Sequence, residues 1–219
     1  MNRIVPLLII ALTVLAFATL LLVAVPAMQI RSVEAPAGLE PYTEQEARGR
    51  EHYVNLGCVY CHTQQPRDSS QAPDTQRGWG RASTPADYIY DSPHLLGTMR
   101  TGPDLLNVGA RLPSRAWQLT HLYQPRAIVP SSLMPNFPYL FEEKDQAEEG
   151  DVVVKLPQKW APENKVVVAK QAALDLVAYL LSLDRTYPPE QLHLRDHGYR
   201  RDESAAQFEG SGADREASL

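Results

Sequence analysis

Residues 4–30 carry no charged side chain, and Leu, Ile, Val, Ala and Phe fill most of the run, with Arg3 and Arg31 at its ends. A run of that length can cross the hydrocarbon core of a bilayer, so a transmembrane anchor is expected over residues 1–31. Ala24-Val25-Pro26-Ala27 offers the small residues of a signal-peptide cleavage site. A signal's apolar region is shorter, about 7 to 15 residues, which favours an uncleaved anchor. The basic flanks do not orient it, since Arg3 stands on one side and Arg31, Arg48 and Arg50 on the other.

Residues 32–42 read as a Pro-containing linker, after which Thr43-Glu44-Gln45-Glu46 has the form of a capping box. A helix is expected over residues 43–56, stopped by Gly57. Residues 64–98 are rich in Pro, Ser, Asp and Gly and predict a long ordered loop with a turn of helix, of a length that usually serves something. Ser114 is placed to cap a short helix running through Trp117 and His121 to about Tyr123, ahead of Pro125. Residues 152–156 and 166–169 are β-branched runs that predict a small β-hairpin, inserted within residues 142–169. Residues 170–183 (KQAALDLVAYLLSL) have helical periodicity, with Leu174, Val177, Ala178 and Leu181 on the apolar face. Pro188 and Pro189 end that pattern, and residues 190–219, poor in core formers, are expected to be a disordered tail. The pattern is thus an all-α domain over residues 43–189 with long loops and a small hairpin, behind a membrane anchor.

Composition narrows the function. A chain of 219 residues allows one ordinary domain plus extra segments. A formal net charge of −5 without a basic stripe argues against a nucleic-acid partner. The only two cysteines, Cys58 and Cys61, exclude a disulfide framework.

Those cysteines stand in Cys58-Val59-Tyr60-Cys61-His62, a C-x-x-C-H. This is the attachment signal for one covalently bound haem c, in which each thiol adds across a vinyl group and the adjacent imidazole becomes an axial iron ligand. Half of a zinc site would want two more ligands, yet there is no third cysteine, and His52, His94 and His121 form no closely spaced pair. A thioredoxin-like redox pair would want a βαβ context, which this pattern lacks. A low-spin carrier wants a second axial ligand, and Met134, in Ser132-Leu133-Met134-Pro135, is the first candidate. Met99 and His121 are its rivals, with a core methionine and a packing histidine as the plainer roles.

The order helix, C-x-x-C-H, Thr-Gly-Pro-Asp-Leu (residues 101–105), Met-Pro, final helix resembles the class I cytochrome c fold. In that family the first and last helices cross at a small residue beside an aromatic, and Gly49, Tyr53, Leu176 and Tyr179 look like that contact. The resemblance also implies that the carbonyl of Pro103 holds the ligand histidine. Met99 stands four residues before Pro103, a reach of roughly 14 Å fully extended, hardly enough to pass around a haem edge.

A closer resemblance is to the membrane-anchored mono-haem subunit, subunit II, of cbb3-type cytochrome c oxidases. It rests on Gly49-Arg50, Tyr53, Gly57-Cys58, Cys61-His62-Thr63-Gln64, Tyr90-Asp91, residues 100–105, Val108-Gly109, Arg111, His121-Leu122, Pro125-Arg126, Val129-Pro130 and Met134-Pro135. Met99 and residues 142–169 depart from that family's pattern. The likeness implies an electron relay with no catalytic centre of its own, in a bacterial inner membrane with the haem domain in the periplasm. Its implied partners are the catalytic subunit of a haem-copper oxidase, other c-type cytochromes, and membrane lipid around the anchor. The small cytochrome subunit of a nitric oxide reductase and a free-standing anchored shuttle are the competing functions.

Overall fold

The structure, a computed structural model, describes residues 4–31 and 33–187. The tail expected over residues 190–219 lies outside them.

The first helix, α1, runs Ile4–Thr19 and continues through a wider π-helical turn, Leu20–Ala24, into Val25–Arg31. Pro26 explains the turn: it has no amide proton and its ring crowds the carbonyl four residues back. The ladder shifts to a longer bond there, with the Val25 amide donating to the Leu20 carbonyl. The apolar stretch Ile4–Gln29 is long enough to cross a membrane, and its most apolar window buries nothing against the rest of the chain. That exposure distinguishes it from a core helix, which would hide one face.

The next helix, α2 (Glu44–Asn55), starts at the expected capping box. Thr43 N–H donates to Glu46 Oε2 at 2.7 Å, and Glu46 N–H donates back to Thr43 Oγ1 at 3.3 Å. It packs against the last helix, α7 (Gln171–Ser182), where a Cβ built on Gly49 would sit 2.0 Å from the carbonyl oxygen of Asp175. Only a residue without a side chain allows that approach. Beside the crossing, the fully buried rings of Tyr53 and Tyr179 meet edge-on at 5.4 Å, and Tyr42 meets Tyr179 at 5.6 Å.

The helical periodicity locates α7 but misjudges its rotation. Ala173, Leu176, Val177, Tyr179 and Leu180 are buried, whereas Leu174, Ala178 and Leu181 are only half-buried flanks of the expected face. Tyr179 explains the offset, because the aromatic contact with Tyr53 turns the helix toward α2.

Between these helices lie α3 (Cys58–Cys61), α4 (Pro73–Gln76), α5 (Val108–Arg111) and α6 (Arg115–Tyr123). Ser114 caps α6 as expected, accepting from the Trp117 amide at 3.2 Å. Leu119 and Leu122 of α6 join Tyr53, Leu176, Val177, Phe137 and Val167 in one core.

The hairpin expectation is corrected in its pairing. β1 (Phe141–Lys144) pairs antiparallel with β2 (Val166–Ala169), from Phe141 opposite Ala169 to Lys144 opposite Val166. Residues 152–156 contribute one bridge, Val153 to Val168, flanked by Val154 N–H to the Val167 carbonyl at 2.8 Å. Residues 64–98 form an ordered loop tied down by buried carboxylates. Asp87 accepts from both Arg81 terminal nitrogens, at 2.8 and 2.6 Å, and from Tyr187 Oη at 2.6 Å, while Asp91 pairs with Arg50 at 2.6 Å.

Candidate functional site

Cys58 and Cys61 stand one turn apart on α3, both half-buried free thiols, and the turn closes with His62 N–H donating to the Cys58 carbonyl at 2.9 Å. Burial pushes the Cys58 thiol up to about 11, so it is protonated at neutral pH. The hydroxyl of Tyr53, reaching in from α2, donates to the His62 carbonyl. The Cys58–Cys61 turn therefore hangs directly from the helix crossing.

The His62 ring is held on two sides. Its Nδ1 lies 2.7 Å from the Pro103 carbonyl oxygen, which can only accept, so Nδ1 carries the proton and Nε2 carries the lone pair. The ring lies flat against Gly102, where a Cβ would sit 2.1 Å from His62 Cε1. Burial, outweighing the bond to Pro103 and the charges of Asp104 and Asp74, lowers the His62 pKa and keeps the imidazole neutral.

Residues 61–65 and 99–104 are laced together around this ring. Gly102 N–H donates to the Cys61 carbonyl at 3.1 Å, and Thr63 Oγ1 donates to the Met99 carbonyl at 2.7 Å. Arg100 donates to the carbonyls of Thr63 (2.9 Å) and Gln65 (2.6 Å) and pairs with Asp104 at 2.5 Å. Asp74, from α4, accepts the Asp104 amide at 2.6 Å and pairs with Arg77 at 3.2 Å.

Cys58, Cys61, His62 and Pro103 are thus brought together, while Met134 stands apart on its own loop. Met134 is half-buried and packs against the same core as Cys58, its amide donating to Ser132 Oγ at 3.2 Å. Met99 is 60% exposed, and its carbonyl, not its thioether, serves the site. His121 stacks on Trp117 with ring centroids 4.7 Å apart, and its Nδ1 is buried without a hydrogen-bond partner. Burial, with a smaller push from nearby His62, brings His121 down to about 4. Tyr60, within the Cys58–Cys61 turn, and Tyr139, close enough to Cys58 to feel its charge, expose large apolar surface, as does Leu133 beside Met134 in sequence.

Sequence reasoning missed Asp74 and the bracing role of Arg100. Arg100 stands four residues before Asp104 in a stretch already marked by its resemblance, so its ion pair had a visible signal. Asp74 had none, because its partner lies 30 residues away across an irregular loop.

The donor set suits a c-type haem: two reduced thiols one turn apart, and a neutral imidazole with one nitrogen committed and the other bearing its lone pair. A protein-family model described as "Cytochrome C oxidase, mono-heme subunit/FixO" matches residues 1–184. No curated protein matches the chain.

Proposed function

The chain belongs to the family of mono-haem subunits of cytochrome c oxidase, of the cbb3-type subunit II kind, and from that premise we propose that it relays electrons to the catalytic subunit of a haem-copper oxidase. Cys58 and Cys61 would hold one haem c through thioether bonds, and His62 and Met134 would ligate its iron, in a class I cytochrome c domain. The domain spans residues 43–189 and is carried in the bacterial periplasm by a single-pass anchor in the inner membrane. Its electrons come from other c-type cytochromes.

When bound, the haem supplies a one-electron couple; the side chains of the chain hold it and set its surroundings. Pro103 and Gly102 fix the plane and tautomer of the His62 ring, which would hold that imidazole in one orientation whether or not the group carries the extra electron. A thioether from Met134 favours the ferrous form and raises the reduction potential. Tyr60 and Tyr139, exposed apolar surface beside the thiols, would help to shield the bound group from water. The anchor confines the domain near its acceptor and replaces free diffusion by a high local concentration.

The observation that carries this reading is the turn Cys58–Cys61 with His62 Nδ1 committed to Pro103. The mass of the denatured, acid-extracted chain tests it: after expression with haem-maturation factors it should exceed the amino-acid sum by one haem, and a bare mass refutes attachment. Copper in the co-purified partner supports the oxidase assignment, whereas non-haem iron would indicate a nitric oxide reductase.

His121 is the specific rival for the second ligand, because its neutral ring has a buried nitrogen without a partner. Met134→Ala should leave the haem attached, lower its potential and open the iron to added ligands. Should only His121→Ala do so, the histidine is the ligand.

A further inference from the structure

The peptide unit joining Pro103 to Asp104 is hydrogen-bonded at both ends. Its carbonyl accepts from His62 Nδ1 at 2.7 Å, and its N–H donates to Asp74 Oδ2 at 2.6 Å. We propose that Asp74 is a positioning residue for the haem: its carboxylate polarises this peptide, strengthens the bond from His62 Nδ1, and so stabilises the ferric state.

The physical argument follows the chain of atoms. Hydrogen bonds in series polarise one another, and the effect is larger where the surroundings are dry. A carboxylate on the N–H pulls that proton and leaves the carbonyl oxygen more negative. A more negative carbonyl draws the Nδ1 proton of His62, which makes Nε2 a stronger donor to a metal ion. Partners behind a ligating histidine tune it in this way.

The geometry isolates Asp74 as the source of the charge. The carboxylate of Asp104 is itself neutralised by Arg100 at 2.5 Å, so it adds little net charge. Asp74 is 9% exposed, and its paired cation, Arg77, is a looser 3.2 Å away with a side chain more than half exposed. Arg111 faces the same carboxylate but lies over the Trp79 ring at 4.4 Å and makes no ion pair among the described residues. Asp74 belongs to the only α-helical turn within the irregular stretch of residues 64–98, and Trp79 N–H closes that turn on the Asp74 carbonyl at 3.0 Å. A long segment that sequence alone left without a purpose thus delivers one buried negative charge behind His62.

This inference rests on the proposed ligation by His62, so the test begins with the intact, haem-loaded chain in detergent. If His62→Ala leaves the low-spin spectrum unchanged, the ligation itself fails, independently of Asp74. With ligation in place, Asp74→Asn keeps the side-chain shape and removes the charge. Its midpoint potential should rise, by about tenfold in the ferrous-to-ferric ratio at a fixed electrode potential, or about 59 mV for one electron. In the reduced, diamagnetic protein the proton resonances of His62 Nδ1–H and of the Asp104 amide should move upfield together. Asp74→Glu should restore part of both changes. Arg77→Gln, a surface change that spares folding, should act in the opposite direction by unmasking the carboxylate. An unchanged potential in Asp74→Asn overturns the proposal. A raised potential with an unmoved His62 resonance also overturns it, since the charge would then act through space and not through the peptide. A rise in potential in Arg77→Gln is equally decisive against it.

Discussion

Gly49 and Asp87 are where single atoms decide most in this chain. A methyl group at residue 49 would meet a backbone oxygen at 2.0 Å, and a backbone oxygen cannot rotate away. Gly49→Ala should therefore separate α2 from α7 and cost about 1–3 kcal/mol or more, read as a fall in the midpoint of chemical unfolding. Asp87 makes a different demand. Burial alone would raise its carboxyl, but the bonds from Arg81, Tyr187 and the Thr84 amide outweigh that and hold it below the usual carboxylate range. A depressed folded value means that the ionised form stabilises the fold fully above the unfolded range, roughly pH 4, and that this contribution is lost as the pH falls through the folded value. Thermal unfolding followed between pH 7 and pH 3 should show a steep acid loss that Asp87→Asn flattens. The same variant should be about 3–5 kcal/mol less stable at neutral pH, because it strands Arg81. At this scale the turn that gathers Cys58, Cys61 and His62 was legible, because the three stand within five consecutive residues. Asp74 and Asp87 were not, since their partners are fixed only when a long loop closes on the domain.

Elements with local signals came out as read, and those set by distant partners did not. The Thr43–Glu46 box and the Ser114 cap are contained within four residues, so both helix starts were visible. The rotation of α7 depends on Tyr53, more than a hundred residues upstream, and β2 takes its main partner from Phe141–Lys144, a segment too charged to advertise a strand. The sheet makes this distinction measurable. Val167 is buried in the core between its neighbours, whereas Val153 is half-exposed on the bridging segment. Val167→Ala should cost about 2 kcal/mol and Val153→Ala less than about 0.5, by denaturant titration. Equal costs would mean that residues 152–156 carry as much of the sheet as β2 does.

For the whole molecule, the boundary between α1 and the rest was plain from composition alone, because an uninterrupted apolar run has few other uses. The most apolar window of that helix buries nothing against the domain, so a chain beginning at Val33 should stay soluble without detergent and melt at the same temperature as the full chain. Aggregation of that shortened chain, or a large drop in its melting temperature, would show that the anchor also props the fold. The joint between the two parts sets how far the domain can roam. Pro36 and Leu39 are buried, and the Leu39 amide closes a turn on the Pro36 carbonyl at 2.9 Å, so most of the nominal tether is already docked. Four residues remain between Arg31 and Pro36, a leash of about 14 Å at full stretch. A leash that short holds the folded domain within about 14 Å of the end of the apolar helix, so the two travel as one body and whatever reaches the domain must come to where that helix is held.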